Sequence, residues 1–305
     1  MCSHIKKLRQ CFQRYALQKR ILPADIIGRG RIGSLFNTKN AYTGWRRILN
    51  YFSNPDIVLG RHDVIPDDYS GRIFCCVRAI VMHTRINACP QAKREDLIFM
   101  QNGHINPTPE STGVLSSCTR VVLYIGISTK DALETDGFTE HDPQGLTVAC
   151  GKWAEQLKHR LAYHNLSCNI VDTDMFEMAY YEKIIWLCTF NLIGMYHGAL
   201  HMSQVANDNT EEVTTIMHEL FQVVQQRTTV CFDLSNSAQR LLSYSRTLTT
   251  FPTSFSEFET RNAYFYEHSK RMIAQGQQDP SPTHTSYVQV VFRDHLNQPI
   301  PEVSI

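Results

Sequence analysis

The sequence predicts an α/β protein in which a parallel-sheet domain is followed by an all-α domain. Three observations predict it. A short apolar run, Ala24 to Ile27, leads straight into Gly28-Arg29-Gly30-Arg31-Ile32-Gly33. Apolar runs of four to six residues then recur with helical stretches between them, the pattern of strands buried on both faces. From about Asp172 those runs stop and long, proline-poor helical patterns take over. The expected divisions are a basic arm at 1–20, a first domain at 21–172 and a helical substrate or catalytic domain at 173–305.

The glycine-rich turn gives the first domain its chemistry. After a strand, the first glycine of Gly-x-Gly-x-x-Gly permits the tight turn and the second lets a pyrophosphate approach the backbone. The third allows close helix–strand packing, and the phosphate meets the helix N-terminus. Gly28, Gly30, Arg31, Ile32 and Gly33 are therefore expected to bind a dinucleotide, in a Rossmann-type domain. The second strand, Asp56 to Leu59, ends in Gly60-Arg61-His62, where an acid would suit NAD and an arginine suits the 2′-phosphate of NADP. Arg61 thus points to NADP(H), with a surface arginine of the loop as the competing reading. Strands follow at Ile73 to Val77, Leu97 to Gln101 and Val121 to Ile125. Arg78 and Asn102 stand just past two of these strand ends, where such sheets bind cofactors. Gly145 to Gly151 and Ser167 to Val171 read as closing strands, with a helix at Trp153 to Tyr163 between them.

In the helical half, Met175 to Gln204 reads as one or two buried helices and 208–226 as an amphipathic one. Asp208 and Glu211 would cap the latter. Further helices are expected over 255–274 and 285–296. Lys183 opens a very apolar stretch, and burial disfavours its charge, moving it towards proton transfer at neutral pH. It could instead snorkel or pair with Glu182. Asn191, two turns on, is either a ligand-facing amide or a satisfied core residue. Glu257 and Glu259 suit a solvated helix face as well as a site.

Composition narrows the class. The chain has 305 residues, 43% hydrophobic and 19% charged, with 30 Lys+Arg against 29 Asp+Glu. That near-balance argues against nucleic-acid partners, and no run reaches the ~18 apolar residues of a membrane span. The total hides an asymmetry: Lys6, Lys7, Arg9, Arg14, Lys19 and Arg20 precede the first acid, Asp25, so 24 bases face 29 acids in the remainder. The arm is either a solvated helix or an organelle-targeting segment. A cytoplasmic location is expected, with a mitochondrial or other organellar one as the alternative. Ten cysteines without a Cys-x-x-Cys pair read as free thiols acting as small hydrophobes. His197 and His201 have zinc-like spacing but no evident third ligand, so no metal is expected.

With these residues set out, the stretch from about 24 to 297 resembles the ketopantoate reductase (2-dehydropantoate 2-reductase) family of the 6-phosphogluconate-dehydrogenase-like superfamily. The resemblance rests on Gly28 to Gly33, Gln101-Asn102-Gly103, Glu182-Lys183-Ile184, Asn191 and Glu257 to Phe265, in that order. The wording Glu-Phe-Glu-x-Arg-Asn-x-Tyr-Phe-Tyr suggests a divergent eukaryotic branch. The resemblance implies an NADPH-dependent reductase of a 2-keto acid, with Lys183 as general acid. It implies that Glu257 bonds a distal substrate hydroxyl, Ser245 the substrate carboxylate, Asn191 the hydroxyl end and Asn102 the cofactor ribose. Arg78 stands for a lysine that approaches the cofactor, with altered geometry. One departure is Leu187, where the family carries a second asparagine. Losing an orienting amide costs about 1–3 kcal/mol, so either the substrate differs or the chain is a catalytically impaired NADP(H)-binding scaffold. The expected partner is a small-molecule substrate, with a homodimer as the assembly to test.

Overall fold

The structure, a computed structural model, describes residues 25–27, 57–59, 65, 71–100, 102–126 and 134–303. The basic arm, Gly28, Gly30, Arg31, Ile32, Gly33 and Arg61 lie outside the described residues. The chain divides into two units. One falls within Met1–Gln101, Thr108–Tyr124 and Gln144–Asp172, the other within Asn102–Pro107, Ile125–Pro143 and Thr173–Ile305.

The first unit is a seven-stranded sheet of order β2-β1-β3-β4-β5-β6-β7. Its strands are β1 (Asp25–Ile27), β2 (Ile57–Leu59), β3 (Ile73–Cys75), β4 (Leu97–Phe99), β5 (Thr119–Val122), β6 (Val148–Cys150) and β7 (Asn169–Ile170). All neighbours run parallel except β5 and β6. Every residue of β3 and β4 is buried, which is why both read as unbroken apolar runs. Strand β5 starts two residues earlier than its apolar run suggests. Thr119 opens it fully buried because its Oγ1 accepts a hydrogen bond from the Trp153 backbone N–H at 2.8 Å. Helix α1 (Met82–Ala88) follows β3, and α2 (Ala154–Tyr163) buries Ala154, Leu157 and Leu161 at helical spacing.

The second unit is helical, built on α3 (Thr173–Tyr196), α4 (Met202–Asp208), α5 (Thr210–Arg227), α6 (Leu234–Thr247), α7 (Asn262–Ala274) and α8 (Pro282–Val290). Fifteen consecutive residues of α3, Tyr180 to Gly194, are buried, so the helix is enclosed on all sides. It packs against α4, α5, α6 and α8. Gly198 and Ala199, both at positive φ, end the long pattern and separate α3 from α4.

Three expectations about elements change. Asn209 rather than Asp208 precedes α5, and Asp208 closes α4. Helix α7 begins at Asn262, because 251–261 forms an irregular segment ending in one 3₁₀ turn, Phe258–Thr260. Helix α6 has no counterpart in the sequence reading. Its four serines and one asparagine weaken helix propensity, yet Asp233 caps it through the Asn236 N–H at 3.1 Å. Ala238, Leu241, Leu242 and Ser245 form its buried stripe.

Candidate active site

Lys183 lies just short of the middle of α3 and is 7% exposed. Its Nζ sits 4.0 Å from the centre of the Trp186 ring, one helical turn on, and 5.8 Å from that of Tyr244 on α6. Burial lowers its pKa well below the ordinary lysine value, and the positive charge of Arg261 lowers it further. Glu182 turns elsewhere, accepting from Arg240 Nη2 at 2.7 Å and the Ser237 hydroxyl at 2.6 Å. Burial still dominates there and raises the Glu182 pKa.

Glu257 belongs to the irregular segment, where φ 56° and ψ 42° put a non-glycine residue in the left-handed region. Such strain persists only where surrounding contacts demand it. The carboxylate meets Arg261 Nη2 at 2.5 Å, and Arg261 Nη1 also reaches the Ser256 carbonyl at 3.3 Å. Glu257, Arg261 and Lys183 therefore share one electrostatic neighbourhood. Arg261, Trp186 and Tyr244 are the members that the sequence reading left out. The signals available for the first two were spacings: arginine four residues after Glu257 and tryptophan three after Lys183.

Asn191, 5% exposed, spends its amide inside the protein. Its Nδ2 donates to the Leu187 carbonyl at 2.8 Å, and its Oδ1 accepts from the Ser254 backbone N–H at 2.8 Å. It thereby pins the 251–261 segment to α3. Leu187 itself is buried. Ser245 is fully buried, accepting from Trp186 Nε1 at 2.7 Å and donating to the Leu241 carbonyl at 2.9 Å. A serine hydroxyl has one proton to donate. As placed, Ser245 commits that proton to the Leu241 carbonyl and its oxygen to the Trp186 indole.

Asn102 is half-buried at the start of a loop fixed to these same elements. Gly103, at φ +141°, lets that loop approach Thr260 so closely that a Cβ would lie 2.7 Å from the Thr260 carbonyl oxygen. The His104 N–H donates to that oxygen, and the Ile105 and Asn106 N–H groups donate to the Tyr180 hydroxyl at 2.7 and 3.2 Å. In the first unit, Arg78 is exposed just after β3, preceding the 3₁₀ turn Ala79–Val81.

The zinc-spaced histidines take separate partners, His197 pairing with Glu212 at 2.9 Å and His201 reaching Gln204 at 3.2 Å. The eight described cysteines are free thiols, six of them buried. Burial raises Cys89 to about 11 and Cys118 to about 12, which leaves both as inert apolar groups at neutral pH.

The sheet order tests whether a dinucleotide fits. From β1 the chain goes to β2 on one side and then to β3 on the other. The carboxyl end of β1 is therefore the switch point at which open α/β sheets bind ligands, and Gly28 follows Ile27 directly in sequence. The arrangement fits the group.

No protein-family model and no curated protein matches the sequence. Solved structures do match. D-mandelate dehydrogenase with NADH and anilino(oxo)acetate superposes with a TM-score of 0.62 at 14% identity, covering 91% of this chain and 100% of that one. The 2-dehydropantoate 2-reductase of Methylococcus capsulatus gives 0.60 at 13%, covering 92% and 99%. Dimeric ketopantoate reductase from Staphylococcus aureus gives 0.57 at 14%, covering 91% and 100%. The chain shares with them an α/β fold, a Rossmann-type sheet followed by a helical half.

Proposed function

We propose that the protein is a nicotinamide-dinucleotide-dependent reductase of a 2-keto acid, with NADPH preferred. The observation that carries this reading is Lys183, a buried lysine of lowered pKa in the neighbourhood of an Arg–Glu pair. When bound, the nicotinamide supplies a hydride to the substrate carbonyl carbon. Lys183 gives its proton to the carbonyl oxygen as that oxygen gains charge, and the product is the 2-hydroxy acid. Arg261 offers the positive charge that a substrate carboxylate needs, and Glu257 holds that guanidinium in place. Gly28, Gly30, Arg31, Ile32 and Gly33 would cradle the pyrophosphate, with Arg61 on the 2′-phosphate and Arg78 and Asn102 nearer the reacting end. The likeness to a mandelate dehydrogenase and to ketopantoate reductases supports the reaction class.

The test is NADPH oxidation across a panel of 2-keto acids, ketopantoate included, beside Lys183→Ala. Turnover that falls at least a hundredfold in Lys183→Ala supports the reading. NADPH should also raise the melting temperature more than NADH does, by the linkage between binding and stability. No shift with either nucleotide refutes dinucleotide binding.

A second reading has its own support. Leu187 replaces an orienting amide, and Asn191 and Ser245 are engaged within the protein. We infer that a chain so altered could bind NADP(H) as a scaffold or sensor without turning over. Binding without consumption, unaffected by Lys183→Ala, would select this alternative. For the assembly and location, we propose a cytoplasmic homodimer, supported by the S. aureus likeness and the many free thiols. Light scattering checks the first and fractionation the second, with the arm at 1–20 deleted for comparison.

A further inference from the structure

Ser245 and Trp186 form a chain of contacts that ends on Lys183. The Ser245 hydroxyl donates to the Leu241 carbonyl at 2.9 Å, and its oxygen accepts from the Trp186 indole N–H at 2.7 Å. The Trp186 ring then faces Lys183 Nζ at 4.0 Å. With its N–H held at one edge, the indole plane is restrained from rotating about its side-chain bonds. Tyr244, next to Ser245 in sequence, packs its ring 5.4 Å from that of Trp186 and presents a second aromatic group 5.8 Å from Nζ.

The ammonium is pulled in opposite directions. Burial within α3 and the charge of Arg261, itself paired with Glu257 on the 251–261 segment, work against the proton. Tyr244 faces it from α6, and Glu182 on its own helix is committed to Arg240 and Ser237. An aromatic face favours a cation above it, most of all when the pair is shielded from water.

We propose that Trp186 is a positioning residue for Lys183, its ring face holding the ammonium in place and charged, and that Ser245 acts on Lys183 only through the indole it fixes. The inference rests on Lys183 being the proton donor of the proposed reaction. It assigns Ser245 a part in proton delivery with no contact to substrate.

The test uses the full chain with ¹⁵N-labelled indoles. The sequence has three tryptophans, and Trp186→Phe identifies the resonance of Trp186. In the wild type that indole resonance titrates with Lys183, and in Lys183→Met it does not. In Ser245→Ala the ring is released and the midpoint falls by about 0.5–1 pH unit, the shift that corresponds to a cation–π contact of ordinary strength. Ser245→Thr, which keeps the hydroxyl, restores most of it. The alkaline limb of the NADPH-oxidation profile moves by the same amount in Ser245→Ala, and also in Trp186→Phe, which keeps a ring but loses the N–H.

An unchanged midpoint in a folded Ser245→Ala, or an indole that titrates equally in Lys183→Met, overturns the inference. Should Ser245→Ala not fold, an unmoved alkaline limb in Trp186→Phe does so. Titration as described without any NADPH oxidation upholds the clamp and removes the reductase reading. Oxidation whose pH profile ignores both substitutions does the reverse.

Discussion

Single buried ionisable groups set how this protein responds to pH. His284 is fully buried with its Nε2 on Asn262 at 2.9 Å, and burial pushes its pKa down to about 3. His104, between the rings of Tyr264 and Tyr180, falls to about 4 through burial and the charge of Arg227. Below the ordinary value of 6.5 the unfolded chain gains protons that these folded sites refuse. Stability is therefore intact above that pH and drops as pH falls towards 4 and 3, by up to about 1.4 kcal/mol per unit for each histidine. Urea unfolding at pH 7 and pH 5 should show His284→Gln losing about 2 kcal/mol less than the wild type over that interval. Lys183 has the same direction of shift with a different window. Its folded pKa lies below 10.5, so stability rises as pH climbs from the folded to the unfolded value. Below that window the cost of burying the charge is complete. Lys183→Met should accordingly stabilise the protein at pH 7, by about 1–3 kcal/mol, and the gain should fade towards pH 10. Melting curves across that range check it. The lysine's burial was legible in its apolar flanks, but the acceptor for Trp186 and the charge of Arg261 were not. Each depends on residues 59 and 78 positions away in the chain.

Among the elements, strands and uniformly apolar helices were the most legible, because burial on all sides leaves a continuous run of apolar residues. Helix α6 and the 251–261 segment were not. A serine-rich helix hides its stripe among polar neighbours, and a glutamate at positive φ has no sequence signature. The docking of the Asn102–Pro107 loop depends on Gly103, where any side chain would meet the Thr260 backbone and also strain φ. Gly103→Ala should cost about 2–4 kcal/mol, read by urea unfolding. Because the same loop carries Asn102 and lies against the segment holding Glu257, the substitution should also weaken the proposed NADPH oxidation well beyond its effect on stability. Assay at a temperature where the variant stays folded separates the two.

On the scale of the whole molecule, the helical unit is organised around α3. Its fifteen-residue buried stretch has few ways to meet solvent short of opening the unit. Backbone amides of Tyr180 to Gly194 should therefore exchange with solvent last, at rates set by global unfolding, while the surface turn at Gly276 exchanges first. Hydrogen-exchange mass spectrometry resolves the two. The change from sheet to helices was readable as a change in periodicity. That 102–107 and 125–143 belong with the later helices was not, since periodicity says nothing about which distant partner a loop will find. This interleaving has a consequence during synthesis. At about 5–20 residues per second, a ribosome that has just made Pro143 still needs roughly 7 to 30 seconds to reach Val290 and finish the helices that these two loops require. Until then they wait without the helices they pack on, and that interval is when the nascent protein would be most open to a chaperone or a protease.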